Sequence, residues 1–419
     1  MNKANAKRSK GEFRRFYKKA TNRKQGGASS RDILRSVAEI VLRMRTAIVH
    51  YWLLNMRGGE KVVEALCRLL PDADVFTLFY DPERVSETIR RHRVQASFLQ
   101  PFRKGYRWLL PVTPLALESF DLREYDLVVS SESGPAKGVI ASSNTRHVCY
   151  CHTPMRYLWE MYPAYRNDWT HARWKRAAMG PFANYLRVWD YACAARVDEF
   201  VANSENVRRR IWRTYRRDSQ VVRPPVSVEK FYWKPPGDYY LIVSELVAYK
   251  RVDAAVRAFN QNGRKLLVVG DGPEYKALRR SAAANVEFCG RVTDEDLQEL
   301  YARCRALLTP GEEDFGITMV EALASGKPVI ALARGGALEV VPEFGGLLYD
   351  EPDGLVDAIE RWERFGTERD PRALQDYAAQ FSEAEFVRQM WPILFETSSH
   401  RRDFPRASQI IGAPSAIQR

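Results

Sequence analysis

The feature that most constrains this chain is a pattern that occurs twice: short apolar runs, each followed by a helical stretch, with a proline-rich break between the two series. The first series opens at Thr46-Ala47-Ile48-Val49-His50-Tyr51. It turns at Gly58-Gly59-Glu60 into a helical stretch over 61–70, then continues with apolar runs at 126–130, 147–151, 199–202 and 221–223. Pro224-Pro225 and Pro235-Pro236-Gly237 bracket the break, and a second series follows at 239–244, 265–269, 286–289, 306–309 and 328–331. Continuous apolar strands alternating with helices predict parallel sheets covered on both faces. The fold class is therefore α/β, two doubly wound units in tandem, and 419 residues suffice for two cores. Such units bind ligands beyond the carboxyl ends of their strands, so the cleft between them is the expected site.

Charge and cysteine usage bound the rest. Residues 1–45 hold 14 Lys+Arg and 3 Asp+Glu, which leaves a net of +2 for the remaining 374 of a chain whose total is +13. The body is thus near neutral, and residues 1–43 read as a basic, disordered extension; the alternative is a tail that binds an anionic surface such as lipid headgroups or nucleic acid. No run of eighteen apolar residues occurs, and the basic N-terminus lacks the apolar stretch of a secretory signal. Cys67, Cys149, Cys151, Cys193, Cys289 and Cys304 sit in apolar runs without paired metal-ligand spacing; they read as core thiols in a reducing compartment. The expected division is 44–230 and 237–380 for the two units, 381–396 for a last helix crossing back onto the first, and 397–419 for a polar tail.

The densest chemistry lies between Gly311 and Ile330. A strand ends at Pro310, the acidic loop Glu312-Glu313-Asp314 follows, and a helix opens at Ile317-Thr318 just after Phe315-Gly316. A helix start offers unpaired N–H groups and a positive dipole end, which suits a diphosphate. Glu313 and Glu321 flank that start, and carboxylates accept strong hydrogen bonds from sugar hydroxyls. Glu312 and Asp314 read as ordinary capping acids.

This stretch resembles the Glu-x7-Glu motif of the retaining glycosyltransferases of family GT4, which have the GT-B fold of two Rossmann-like domains facing a central cleft. Further motifs resemble the family in order: Gly58-Gly59-Glu60, Cys151-His152-Thr153-Pro154-Met155-Arg156, Asn203-Ser204-Glu205-Asn206-Val207, Arg223-Pro224-Pro225-Val226, the loop from Ser244 through Lys250 to Asp253, Gly270-Asp271-Gly272-Pro273 and Gly290-Arg291-Val292. The resemblance implies catalytic roles for His152, Glu313 and Lys250. It implies a nucleotide-sugar site formed by Gly58, Gly59, Lys250, Arg291, Val292, Phe315, Gly316, Ile317, Thr318 and Glu321, with Glu321 on the ribose and Glu313 on the transferred sugar. Family members usually carry arginine where this chain has Glu245. Arg251 is the expected substitute, or else Lys250 and backbone N–H groups suffice. Arg156 is a candidate acceptor ligand or a surface ion pair, and Arg208-Arg209-Arg210 reads as a solvated helix face.

The run from Cys151 to Trp159 looks most like mannosyltransferases of bacterial surface-polysaccharide assembly. GDP-mannose is the first donor expected, UDP-glucose or another hexose donor the second. The acceptor implied is a glycan or lipid-linked glycan. No cofactor, metal or specific nucleic acid is implied. The expected location is cytoplasmic, at the inner face of the cell membrane. Basic-aromatic segments at 102–111 and 171–187 suit an anionic membrane interface, or else core aromatics beside a solvated basic face. Rival readings are a nucleotide-sugar epimerase, or an inactive GT-B scaffold that binds anionic partners through residues 1–45.

Overall fold

The computed structural model describes residues 44–163, 173–351, 354–365 and 369–395. The extension 1–43, the tail 397–419 and the side chains of Trp174, Lys175 and Arg176 lie outside the described residues.

Two parallel sheets organise the molecule. In the N-terminal lobe the strands are β1 (Thr46–His50), β2 (Asp74–Thr77), β3 (Val94–Ala96), β4 (Leu127–Glu132), β5 (Arg146–Cys151), β6 (Glu199–Ala202) and β7 (Ser219–Val221), in the spatial order 3-2-1-4-5-6-7. The C-terminal lobe has β8 (Tyr239–Val243), β9 (Lys265–Val269), β10 (Val286–Gly290), β11 (Leu307–Thr309), β12 (Val329–Leu332) and β13 (Gly346–Tyr349), in the order 10-9-8-11-12-13. Every residue of β1, β4 and β11 is buried, as expected of strands with helices on both faces. Register follows this apolar alignment: Ile48 lies opposite Val75 on one side and Val129 on the other.

Three strands escape the apolar-run criterion. β2, β3 and β13 have three or four residues each, and polar residues or glycine interrupt them. β7 lies two residues earlier than the run at 221–223, because Ala202, Val201 and Phe200 pair with Val221, Gln220 and Ser219.

The sheets share a design that fixes the site. β1 lies between β2 and β4, and β8 between β9 and β11, so strand order reverses at β1 and at β8. Loops leaving the carboxyl ends of strands beside such a reversal diverge and open a crevice. From β1 the chain enters α1 (Gly58–Leu69), from β8 the loop before α4 (Val252–Asn262), and from β11 the loop before α5 (Ile317–Ala324). Between them in sequence lie α2 (Arg173–Ala194) and α3 (Glu205–Tyr215) of the N-terminal lobe.

The last described helix, Glu383–Phe395, packs on the N-terminal lobe. Phe386, Val387, Met390, Ile393 and Leu394 join Ile48, Val62 and Leu66 in one buried cluster. Arg68 of α1 clamps Glu383 with two bonds of 2.5 and 2.6 Å.

Candidate active site

A cavity of about 900 Å³ lies between the lobes, at the carboxyl ends of both sheets. It is lined by Gly58, Gly59, His152, Lys250, Arg291, Val292, Glu313, Phe315, Gly316, Ile317, Thr318 and Glu321, which gathers nearly every residue singled out from the sequence. Two helix starts face each other across it. A Cβ placed on Gly58, the first residue of α1, would lie 2.9 Å from the Ile317 side chain, the first residue of α5. The first N–H groups of a helix have no intrahelical acceptor, so two positive dipole ends converge on one space.

Local sequence explains the C-terminal side. Gly316 caps α5 with φ +100°, a conformation that side chains rarely tolerate, and a Cβ there would lie 1.9 Å from the Met319 methyl. The Glu313 carbonyl accepts the Gly336 N–H at 2.8 Å, and a Cβ on Gly335 (φ +58°) would lie 2.2 Å from that same oxygen. Lys250 donates to the Glu313 carboxylate at 2.5 Å. Burial alone would lower the pKa of this ammonium, but Glu313 outweighs it and holds the value above the ordinary lysine range. Glu321, buried inside the first turns of α5, accepts from the Tyr301 hydroxyl at 2.9 Å and from Lys61 of α1 at 3.1 Å.

Two residues named from the sequence do not line the cavity. Arg251 adopts a left-handed backbone (φ 54°) as the N-cap of α4, and its Nε lies 3.8 Å from Asp253. The cation that meets Glu245 is Arg57 of the opposite lobe, at 3.1 Å, and both of those line the cavity. Arg156 is neither a cavity ligand nor a surface pair. It bonds Asp314 at 3.2 Å and lies 3.9 Å from Glu312. Arg210 joins it on both carboxylates and on Glu160 at 2.9 Å, with only 13% of its side chain exposed. The solvated-face reading holds for exposed Arg208 and Arg209 but fails for Arg210, whose register on α3 turns it toward the C-terminal lobe. Glu312 and Asp314 are therefore counter-ions that tie the acidic loop to the N-terminal lobe.

Models of two families match the chain: "Glycosyltransferase Family 4" over residues 56–230, and "Glycosyl transferases group 1" over residues 228–381. The chain belongs to glycosyltransferase family 4. A GDP-mannose-dependent alpha-mannosyltransferase of Corynebacterium glutamicum is 34% identical over 125 residues, covering 29% of this chain and 30% of that protein. An uncharacterised glycosyltransferase of Methanocaldococcus jannaschii is 27% identical over 170 residues, covering 39% of this chain and 48% of its own length. The chain thus spans half or less of these relatives. Among solved structures, HepE from Anabaena in complex with UDP and glucose superposes with a TM-score of 0.62 at 17% identity, covering 85% of this chain and 100% of that one. Sucrose-phosphate synthase from Thermosynechococcus elongatus gives 0.62 at 17% identity, covering 83% and 98%. The fold is GT-B.

In this family 4 chain His152 directly follows β5 at the cavity wall. Its N–H donates to the Glu132 carbonyl at 2.6 Å, and its Nε2 pairs with the Ser131 hydroxyl at 2.9 Å. Burial, with His50 nearby, lowers its pKa to about 3, so the imidazole is neutral at ordinary pH. Behind it lies a group the sequence did not announce. Lys137, fully buried, binds Glu132 at 2.8 Å and also Asp190 of α2. Asp190 accepts from Trp159 at 2.7 Å and Tyr215 at 2.8 Å. This network fixes the loop after His152 to β4 and α2. Its only sequence signal is a lysine within the small-residue run Ser133-Gly134-Pro135-Ala136-Lys137-Gly138. Arg57 and Lys61 had a weak signal too, since both flank the Gly58-Gly59 turn.

Proposed function

We propose that the protein is a retaining glycosyltransferase that moves a hexose from a nucleoside-diphosphate sugar onto a glycan or lipid-linked glycan. The observation that carries this reading is the convergence of two helix starts and Lys250 on one cavity, beside the carboxylates Glu313 and Glu321. A diphosphate fits the converging N–H groups and the lysine, and the carboxylates suit hydroxyls on either side of it. As the bond from the anomeric carbon to the phosphate oxygen breaks, Lys250 and the helix starts stabilise the charge gathering on that oxygen. The acceptor hydroxyl attacks from the same face, its proton passes to the leaving phosphate oxygen, and the configuration is retained. Neutral His152 orients the sugar by hydrogen bonding and Glu313 holds a hydroxyl. Glu321 holds the ribose, and Arg291 and Val292 line the base end. The lysine and helix dipoles replace a divalent cation in this scheme.

GDP-mannose is the donor proposed first, supported by the named mannosyltransferase relatives. UDP-glucose is the alternative, supported by the fold neighbour solved with UDP and glucose. The protein works in the cytoplasm at the membrane face. Supporting contact with a membrane face, Phe102 (62% exposed) and Trp108 (76%) line one surface depression with exposed Arg103 and Lys104. Incubation with a panel of nucleotide sugars tests the reading: slow release of free nucleotide from one of them, unchanged by EDTA, is expected. Release from none, with or without added acceptor glycans, contradicts it.

A further inference from the structure

Among the described residues five cations line the cavity: Arg57, Lys61, Arg84, Lys250 and Arg291. Two of them, Lys61 and Lys250, already pair with Glu321 and Glu313, whose side chains are 5% and 19% exposed. Arg291 follows β10, an edge strand two positions from β8, so its backbone is roughly 10 Å from the strand that carries the Lys250 loop. Arg84 lies 3.6 Å from its own neighbour Asp81. Arg57 differs from these four. It immediately precedes Gly58, so it stands where α1 and α5 meet. Its partner Glu245 is 36% exposed, and the one hydrogen bond between them uses a single Nη1 group. A guanidinium has five N–H donors in a rigid fork, so Arg57 keeps free donors while Glu245 holds it.

We propose that Arg57 is a ligand of the donor diphosphate, supplied by the N-terminal lobe and aimed by Glu245 of the C-terminal lobe. The inference rests on the nucleotide-sugar reading above and adds to it a phosphate-binding residue that works across the cleft. Its consequence is that full affinity for the diphosphate requires both lobes in contact, because the arginine and the carboxylate that orients it belong to different lobes.

A competing role for Arg57 is only to mask the charge of Glu245 from the phosphates, and the double variant separates the two. Dissociation constants for GDP and UDP, with guanosine and uridine as controls, are measured by calorimetry on the full chain. R57M is expected to weaken the preferred nucleoside diphosphate about tenfold or more while leaving its nucleoside unchanged. R57M/E245Q, which removes both charges, is expected to stay as weak as R57M. Wild-type affinity in R57M overturns the proposal, and so does recovery of wild-type affinity in the double variant, which would leave Arg57 as a charge mask. If the wild-type protein binds neither diphosphate more tightly than its nucleoside, the nucleotide-sugar reading fails, and this inference falls with it. An unchanged nucleoside affinity in both variants shows that the site is folded.

Discussion

The two lobes bring opposite charges to the cavity. Among the described residues, the N-terminal lobe lines it with Arg57, Lys61 and Arg84 and with no carboxylate, and the C-terminal lobe with Glu245, Asp271, Glu313, Asp314 and Glu321 against Lys250 and Arg291. Contacts between lobes follow the same polarity: Arg57 with Glu245, Lys61 with Glu321, and Arg156 and Arg210 with Asp314. Even backbone contacts obey it, since Glu339 accepts the N–H groups of Glu205 and Asn206 at the start of α3, both at 2.8 Å. Carboxylates of the C-terminal lobe thus meet cations of the N-terminal lobe along one seam. In the proposed function a diphosphate brings negative charge to this seam, and Arg57 can meet it with its remaining N–H donors while Glu245 still holds it.

The largest test of that division concerns Lys250, the cavity cation of the acidic lobe that pairs with Glu313. Lys250→Ala is expected to cut kcat by roughly 10²–10³, the usual loss when a group that stabilises transition-state charge is removed. A kcat near wild type would mean that the leaving phosphate is stabilised elsewhere.

Next come the two carboxylates. Glu321→Ala should raise the donor KM with little change in kcat, and Glu313→Ala should lower kcat. Each should lose roughly 1.5–3 kcal/mol, the worth of a charged hydrogen bond. Steady-state kinetics on both variants checks this, and wild-type values in both would remove the site assignment.

A smaller effect is expected from the cations that pair with the acidic loop across the lobes. Arg156→Ala leaves Asp314 with Arg210, so kcat/KM should fall about tenfold, the scale of one charged hydrogen bond, and equally for every acceptor. A rise confined to the KM of one acceptor would restore Arg156 as an acceptor ligand.

The smallest effect concerns pH. Because burial lowers the His152 pKa from 6.5 to about 3, no inflection of kcat/KM near pH 6.5 should come from this residue, and His152→Asn should leave any acid limb in place. A depressed folded pKa means that its contribution to stability is fully present above about pH 6.5 and is lost as pH falls toward 3. His152→Asn should therefore lose less thermal stability than wild type on acidification over that range. An acid limb near pH 6.5 that vanishes in the variant would show a titrating imidazole.

The acidic lobe was also the readable one. Glu313, Gly316, Ile317 and Glu321 lie within nine consecutive residues, and a loop, a glycine cap and a helix start determine their relative positions by local geometry alone. Most strands of both sheets were readable as apolar runs, but β2 was not, although Val75, Phe76 and Thr77 are buried, because a run bounded by Asp74 and Thr77 is too short to stand out. The basic lobe contributes through pairs distant in sequence, such as Lys61 with Glu321 and Arg210 with Asp314. No local pattern marks a cation that will meet a carboxylate 260 residues away. Arg210 shows the limit well: within Arg208-Arg209-Arg210 the three look alike, and only the docking of α3 against the acidic loop decides which one is buried. Lys137 is similar, since Glu132 is near it in sequence but Asp190 reaches it only when α2 packs against the turn at 136–138.

The most direct test of the opposed-lobe site is a crystal structure with GDP or UDP bound. The expected result places the diphosphate between the starts of α1 and α5, within hydrogen-bond distance of backbone N–H groups of both lobes and of Lys250, with the ribose on Glu321. A diphosphate held by one lobe alone, or lying outside this cavity, would contradict it.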